Sequence, residues 1–417
     1  MQKSSRIIRG SVAALMATFT GTAVASGLAI GTQSGSGTGN AFAGGAASSE
    51  DASTVWYNPA GMTVLPKGTQ FSVAAHLIRP SFKFTNTGST GAATAAGSGE
   101  GGDGGDWAAI PQGYVATSIG DRWRVGLAFN TPFGLQTEYD SAWRGRSTAQ
   151  KSALKTYNIN LGVAYQINDV ISVGAGASYQ RLELDFNSVV SPPGPGTVGI
   201  KASDNGSGFN LGALFQVTPD TRLGLAYRSA INFQPTGSVT FSGAPGLNGS
   251  VTAGMTEPET ASISLFSAVT PRWDVMGDIT WTSWSHVKSI PFIRTSLAPG
   301  AVVTTLTFNW RDTLRYSVGG NYKLNGNWKF RMGAAYDESP TNDVDRTSRI
   351  PDQDRTWIAI GAQYRISKAA VLDLGYAHEF IKTATVNNAV APFPGRLIGE
   401  FGNSTADIFS VQYTHSY

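Results

Sequence analysis

From Lys67 to the C-terminus, apolar and polar residues alternate in runs of about a dozen. Tyr157, Ile159, Leu161, Val163, Tyr165 and Ile167 interleave with Asn158, Asn160, Gly162, Ala164 and Gln166. Ile171 to Gln180 and Trp357 to Ile366 repeat the pattern, and the last residues carry Phe409, Val411, Tyr413, His415 and Tyr417 on one face. A period of two predicts extended strands with two different faces. The second face is small and polar, which suits a lumen better than a solvated surface, and the runs are long for soluble strands. A final aromatic residue at the end of such a run resembles the closing strand of an outer-membrane barrel.

The connections come in two lengths. Short turns fall at Gly120-Asp121, Asn168-Asp169, Thr218-Pro219-Asp220, Thr270-Pro271, Asn325-Gly326 and Ser367-Lys368, where Gly, Asn and Asp tolerate left-handed backbone and Pro fixes a turn. Seven long Gly/Ser/Pro/Asp-rich loops alternate with them, near 87–107, 132–152, 188–206, 233–257, 289–302, 337–353 and 387–404. The sum is an all-β fold: a 14-stranded antiparallel transmembrane β-barrel, residues 67–417, with both termini on the periplasmic side. Trp123, Trp273 and Trp328 each follow a short turn, as an interfacial girdle requires.

Residues 1–25 read as a signal peptide: Lys3, Arg6 and Arg9, an apolar core from Ser11 to Thr20, and the small-residue site Ala23-Val24-Ala25. Its removal takes the formal charge from +3 to 0, so no polyanion-binding surface follows and no nucleic-acid partner is expected. There is no Cys, and the four His (76, 286, 378, 415) have no metal-ligand spacing. No G-x-S-x-G elbow or Walker A motif occurs, so neither an enzyme nor a cofactor nor a metal site is expected. Residues 26–66, rich in Gly, Ser and Ala and free of Lys and Arg, are predicted to fold inside the barrel as an N-terminal hatch; a flexible periplasmic tail is the alternative.

Several motifs resemble the FadL/TodX family of outer-membrane transporters for long-chain fatty acids and other hydrophobic compounds. Ser26-Gly27-Leu28 is similar to its mature start. Ser34 to Ala41, Ala46 to Asp51 and Asn58-Pro59-Ala60 are similar to its hatch, and Asn130 to Tyr139 to its kinked third strand. The most specific match joins Asp337-Glu338-Ser339-Pro340 to Arg349-Ile350-Pro351-Asp352-Gln353-Asp354-Arg355. The resemblance implies passive uptake: capture by extracellular loops, an internal site, and lateral release at the third strand. A monomer is expected, lodged among outer-membrane lipid and lipopolysaccharide and inserted by the barrel-assembly machinery, for which the C-terminal aromatic strand resembles a signal.

Candidate parts follow. The apolar segments Val189 to Ile200 and Ile231 to Met255 could capture ligand, or be ordinary surface loop. Pro132, Phe133 and Gly134 should interrupt the third strand, with Asn58 filling the gap, although Pro and Gly also mark a plain strand end. By resemblance Arg311 is a carboxylate anchor; an ion pair with Asp312 or another carboxylate is the alternative. The family's second basic position falls on Phe186, with Arg181 the nearest cation in that strand, so the carboxylate clamp is expected to be incomplete and neutral ligands tolerated. Leu28 and Ile30 should close the apolar end. Asp337, Pro351, Asp352, Asp354 and Arg355 read as a salt-bridge network, not a calcium loop. Hydrocarbon uptake, a general hydrophilic porin, and an outer-membrane hydrolase or adhesin are the competing functions.

Overall fold

The computed structural model describes residues 27–190, 196–390 and 394–417, so the predicted signal peptide lies outside the described residues. Fourteen antiparallel strands close into a barrel. They begin at Thr69–Ser81 and Ala108–Ile119; the third runs Trp123–Asn130 and resumes at Gly134–Glu138. Lys151–Gln166, Ile171–Val190, Gly196–Thr218, Thr221–Arg228 and Thr260–Ser267 follow as strands four to eight. Trp273–Thr282, Thr313–Lys323, Trp328–Asp337, Arg355–Arg365, Ala370–Ile381 and Ser404–Ser416 complete the wall. Strand one pairs with strand fourteen from Gln70↔Ser416 to Ser81↔Thr405, which closes the ring. All six expected short turns join neighbours in the wall.

The alternation places the side chains as the sequence requires. Phe409, Val411 and Tyr413 are exposed on the outer face, whereas Ser410, Gln412 and Thr414 are buried. Trp123, Trp273 and Trp328 each pack on a tyrosine of the next strand, at 4.6 Å from Tyr165, 4.8 Å from Tyr322 and 4.7 Å from Tyr364. These pairs form an aromatic girdle at the short-turn end.

Six expected loops differ. Strand five continues to Val190 and strand six starts at Gly196, and the ranges 87–107, 132–152, 233–257, 289–302 and 387–404 also contain paired strands. Gly and Ser lower strand propensity, but cross-strand pairing and burial override it. The apolar residues of the expected capture loops therefore turn inward: Ile200, Ile231, Phe233, Val239, Val251 and Met255 join one buried cluster with Phe186. Residues 191–195 lie outside the described residues.

Residues 27–64 fold into short helices, Gly35–Thr38, Gly45–Ser48 and Thr54–Tyr57, and a 3-10 segment, Pro59–Val64. They contact strands all around the bore. The small lumenal face is what admits them. A Cβ on Gly212 would lie 1.9 Å from Asn58 Oδ1, and one on Gly333 would lie 2.2 Å from Asn40. Charge fixes the same segment: Arg331 holds Glu50 at 2.6 Å and Asp373 at 2.7 Å, and Lys329 also pairs with Glu50. Burial would raise the Glu50 carboxyl, but the two cations outweigh it and hold the group well below the usual carboxylate range.

Replacing Arg331 by Met leaves Asp373 buried without its cation and Glu50 with Lys329 as its one remaining cation. The expected loss is about 3–5 kcal/mol of stability, read as a lower urea midpoint in detergent.

Candidate functional site

The wall is interrupted beside the third strand. Strand two pairs with strand three only over Gly113–Ile119, so Ala108 to Gln112 pair with strand one alone. On the other side, Asn130 pairs with Asn158, and pairing resumes only at Gly134↔Lys155. Three residues, Thr131, Pro132 and Phe133, thus oppose two, which is a bulge. Pro132 and Pro111 have no amide proton to leave unpaired at this break.

The N-terminal segment satisfies the exposed backbone from inside. Ile30 N donates to Pro132 O at 2.7 Å, and Gly134 N donates to Leu28 O at 2.9 Å. Gln33 secures the lower end: its amide donates to Thr131 O, while its own oxygen accepts from Asn130 at 2.7 Å. Gln112 donates to Thr32 O, and Tyr114 to Gln33 O. Asn58 is not at this gap. It caps the 3-10 segment through Ala60 N and donates to Ala213 O of strand six, because Gly212 opens a socket for it there. Pro59 and Ala60 are buried beside it, on strands five and six.

Above the gap lies a narrow apolar crevice of about 20 Å³, lined by Leu28, Leu154, Phe186, Phe292, Phe308 and Arg349, among others. Phe186 meets Phe292 edge to face at 6.1 Å. Arg349 is buried and its guanidinium stands 5.6 Å over the Phe186 ring. It donates to Ser152 Oγ at 2.9 Å and to Lys151 O, both uncharged. Burial alone pushes the guanidinium down to about 10, with no acid to offset it.

The other expected anchors are elsewhere. Arg311 is more than half exposed, 3.7 Å from Asp354, and does not line the crevice; its partner is not Asp312, which accepts from Ser285 N. Arg181 points outward, in register with exposed Tyr179, and pairs with Glu183 at 2.7 Å. Arg181 and Glu183 are two positions apart, so both share the outer face of a strand. Ile30 packs with Ile78, Ile110 and Trp357, below the crevice. Arg349 had been visible only as the first letter of the signature motif; its burial depends on how the loop folds inward.

That loop also holds the N-terminal segment. Asp352 accepts from Gly27 N at 2.8 Å and from Ser339 Oγ, and pairs with Arg355 at 2.6 Å. Arg355 reaches Glu379 at 2.7 Å. Asp354 accepts from Tyr336 and Ser339, and Asp337 stands 3.9 Å from Arg315. Pro351 is buried between these groups in sequence.

Known proteins resemble this chain in sequence and fold. The Long-chain fatty acid transport protein of Escherichia coli K12 is 27% identical over 438 residues, covering 94% of this chain and 96% of that protein. A 47 kDa outer membrane protein of Pasteurella multocida is 29% identical over 429 residues, covering 95% and 97%. The crystal structure of a Pseudomonas aeruginosa FadL homologue superposes with a TM-score of 0.86 at 25% identity, covering 94% and 99%. The Ralstonia pickettii toluene transporter TbuX shares the fold, with a TM-score of 0.68 at 21% identity over 92% and 98%. A family model described as outer membrane protein transport protein (OMPP1/FadL/TodX) matches residues 16–417, and the chain belongs to that family of outer-membrane transporters.

Proposed function

We propose that this chain carries long-chain fatty acids passively across the outer membrane, with the signal peptide 1–25 removed, residues 26–66 acting as the hatch and 67–417 as the barrel. The observation that carries the reading is Arg349: a buried cation without an acid, set in an apolar crevice against Phe186 and Leu28. A carboxylate with a long apolar tail supplies both missing complements. Each CH₂ kept from water on the way is worth about 0.8 kcal/mol, so an apolar path and an exit into lipid outdo an aqueous bore.

The crevice is too tight for an acyl chain while Leu28 fills it. Leu28 to Ile30 also seal the broken third strand, so one displacement widens the crevice and opens the wall at Pro132 to Gly134. The bonds from Gly27, Ile30 and Gly134 together hold the segment by roughly 1.5–4.5 kcal/mol, at about 0.5–1.5 each. Burying a few methylenes of ligand is enough to offset them, again at about 0.8 kcal/mol each. The Asp352–Arg355–Glu379 network anchors the outer end of the same segment. In the cell the barrel works as a monomer, inserted by the barrel-assembly machinery, with its outer rim among lipopolysaccharide.

A second reading, uptake of monoaromatic hydrocarbons, is favoured by the edge-to-face pair of Phe186 and Phe292, which leaves Arg349 as the crevice's one cation among the described residues. The two readings separate on Arg349→Leu. Fatty-acid recognition predicts about 10- to 100-fold weaker oleate binding to the purified protein with toluene binding unchanged. Equal loss of both, or of neither, contradicts it. In cells lacking their own transporter, expression is expected to restore radiolabelled oleate uptake; a surface-exposed barrel without uptake rejects fatty acid as the substrate.

A further inference from the structure

Below the segment Leu28 to Ile30 is a second cavity, about 210 Å³, whose wall includes Ile30, Gln33, Pro132, Phe133, Asn210 and Arg228. It therefore borders the interruption of the third strand from the lumenal side. Most charges in this barrel interior are paired, but Arg228 is not. Its guanidinium donates to Asn160 Oδ1 and Ser178 Oγ at 3.3 Å and to Trp56 O at 2.7 Å, and it lies 3.3 Å over the Trp56 ring. All of these partners are uncharged. A guanidinium has five N–H donors, so at least two remain for another acceptor.

Asn210 supplies an independent observation. It is 2% exposed, and neither its amide nitrogen nor its oxygen has a hydrogen-bond partner among the described residues. A buried amide left in this state costs stability unless something polar enters the cavity. The carboxylates that share the cavity, Asp278 and Asp337, stand on strands nine and eleven. Asp278 accepts from Ser264 and from Thr280 at 2.8 Å, and Asp337 faces Arg315. The side formed by strands six and seven thus offers donors, while the far side is already acidic. Phe133, Ile30, Phe42 and Trp284 give the cavity its apolar surface.

We propose that this cavity is a second carboxylate station, in which Arg228 and the Asn210 amide receive the headgroup of an acid while its tail passes the gap at Pro132 and Phe133. The assignment rests on the fatty-acid reading above and adds an order of events to it. Arg349 holds the acid while the segment Leu28 to Ile30 is in place, and Arg228 holds it once that segment has moved. The head stays in the lumen until the tail is in lipid, so the charge is never stranded in the apolar gap. Neutral cargo would leave Arg228 and Asn210 unserved.

The test compares Arg228→Gln and Arg228→Lys in the full-length protein. With Arg228→Gln, oleate uptake by transporter-deficient cells should fall about 10-fold or more, as loss of a charge-assisted bond implies. Equilibrium oleate binding by the purified protein should stay within about 2-fold, since Arg349 is untouched, by the same conversion. Ion conductance in planar bilayers should not change, which shows the hatch still seated, and Arg228→Lys should recover most of the uptake. Undiminished oleate uptake in Arg228→Gln overturns the proposal. So does a loss that comes with raised conductance and is not recovered by lysine, because Arg228 would then serve only to hold Trp56. Absence of oleate uptake by the unsubstituted protein would instead defeat the fatty-acid reading, and this station with it.

Discussion

A strand that stops pairing inside a membrane has nothing to bond to, and that constraint organises this molecule. Lipid offers no partner for a free amide or carbonyl, so a barrel wall must be closed or its break must be served from within. Here strand two runs on past its last pair with strand three, and Ile30 and Leu28 bond the backbone of strand three at Pro132 and Gly134 from the lumenal side. The hatch is therefore more than an obstruction in the bore. On the proposed lateral route, part of it serves as a removable piece of the wall.

Two further features follow from the same constraint. The segment must be held firmly enough to seal, which the Asp352–Arg355–Glu379 network does through Gly27 N, and the Gln33, Asn130 and Gln112 cluster does at the other end. On the proposed route it must also be displaced by cargo and not by water. Placing Leu28 in an apolar crevice meets that need, because only an apolar ligand competes for the same contacts. On that route the seal and the selectivity are one side chain's two functions.

Much of this was legible in the chain. Six short turns and seven long loops gave fourteen strands; Pro132 and Gly134, which act locally on backbone pairing, fitted a break or a plain strand end, and the resemblance favoured the break. The turns at Asn168-Asp169 and Asn325-Gly326 were plain for the same reason. What failed depended on distant partners. Asn58 looked suited to the gap, but the socket at Gly212 takes it to strand six. Arg311 sat where the resemblance put an anchor, yet the loop carrying Arg349 folds inward and brings a different cation to Phe186. Arg181 belongs to the outer face by simple alternation, in step with Tyr179, and its parity alone excluded it from the lumen. The outer ends of strands five and six were hidden by Gly and Ser, whose low propensity is outweighed by pairing along their whole length.

The most direct measurement locks the segment to the wall. Ala29 and Phe133 face each other in an antiparallel bridge, and the chain has no cysteine of its own. A full-length protein carrying Ala29→Cys and Phe133→Cys, oxidised in the outer membrane of transporter-deficient cells, should take up no labelled oleate and regain uptake when the disulfide is reduced. Equal uptake in the oxidised and reduced states, with the cross-link verified, would show that cargo passes without moving Leu28 to Ile30 and would contradict the lateral route.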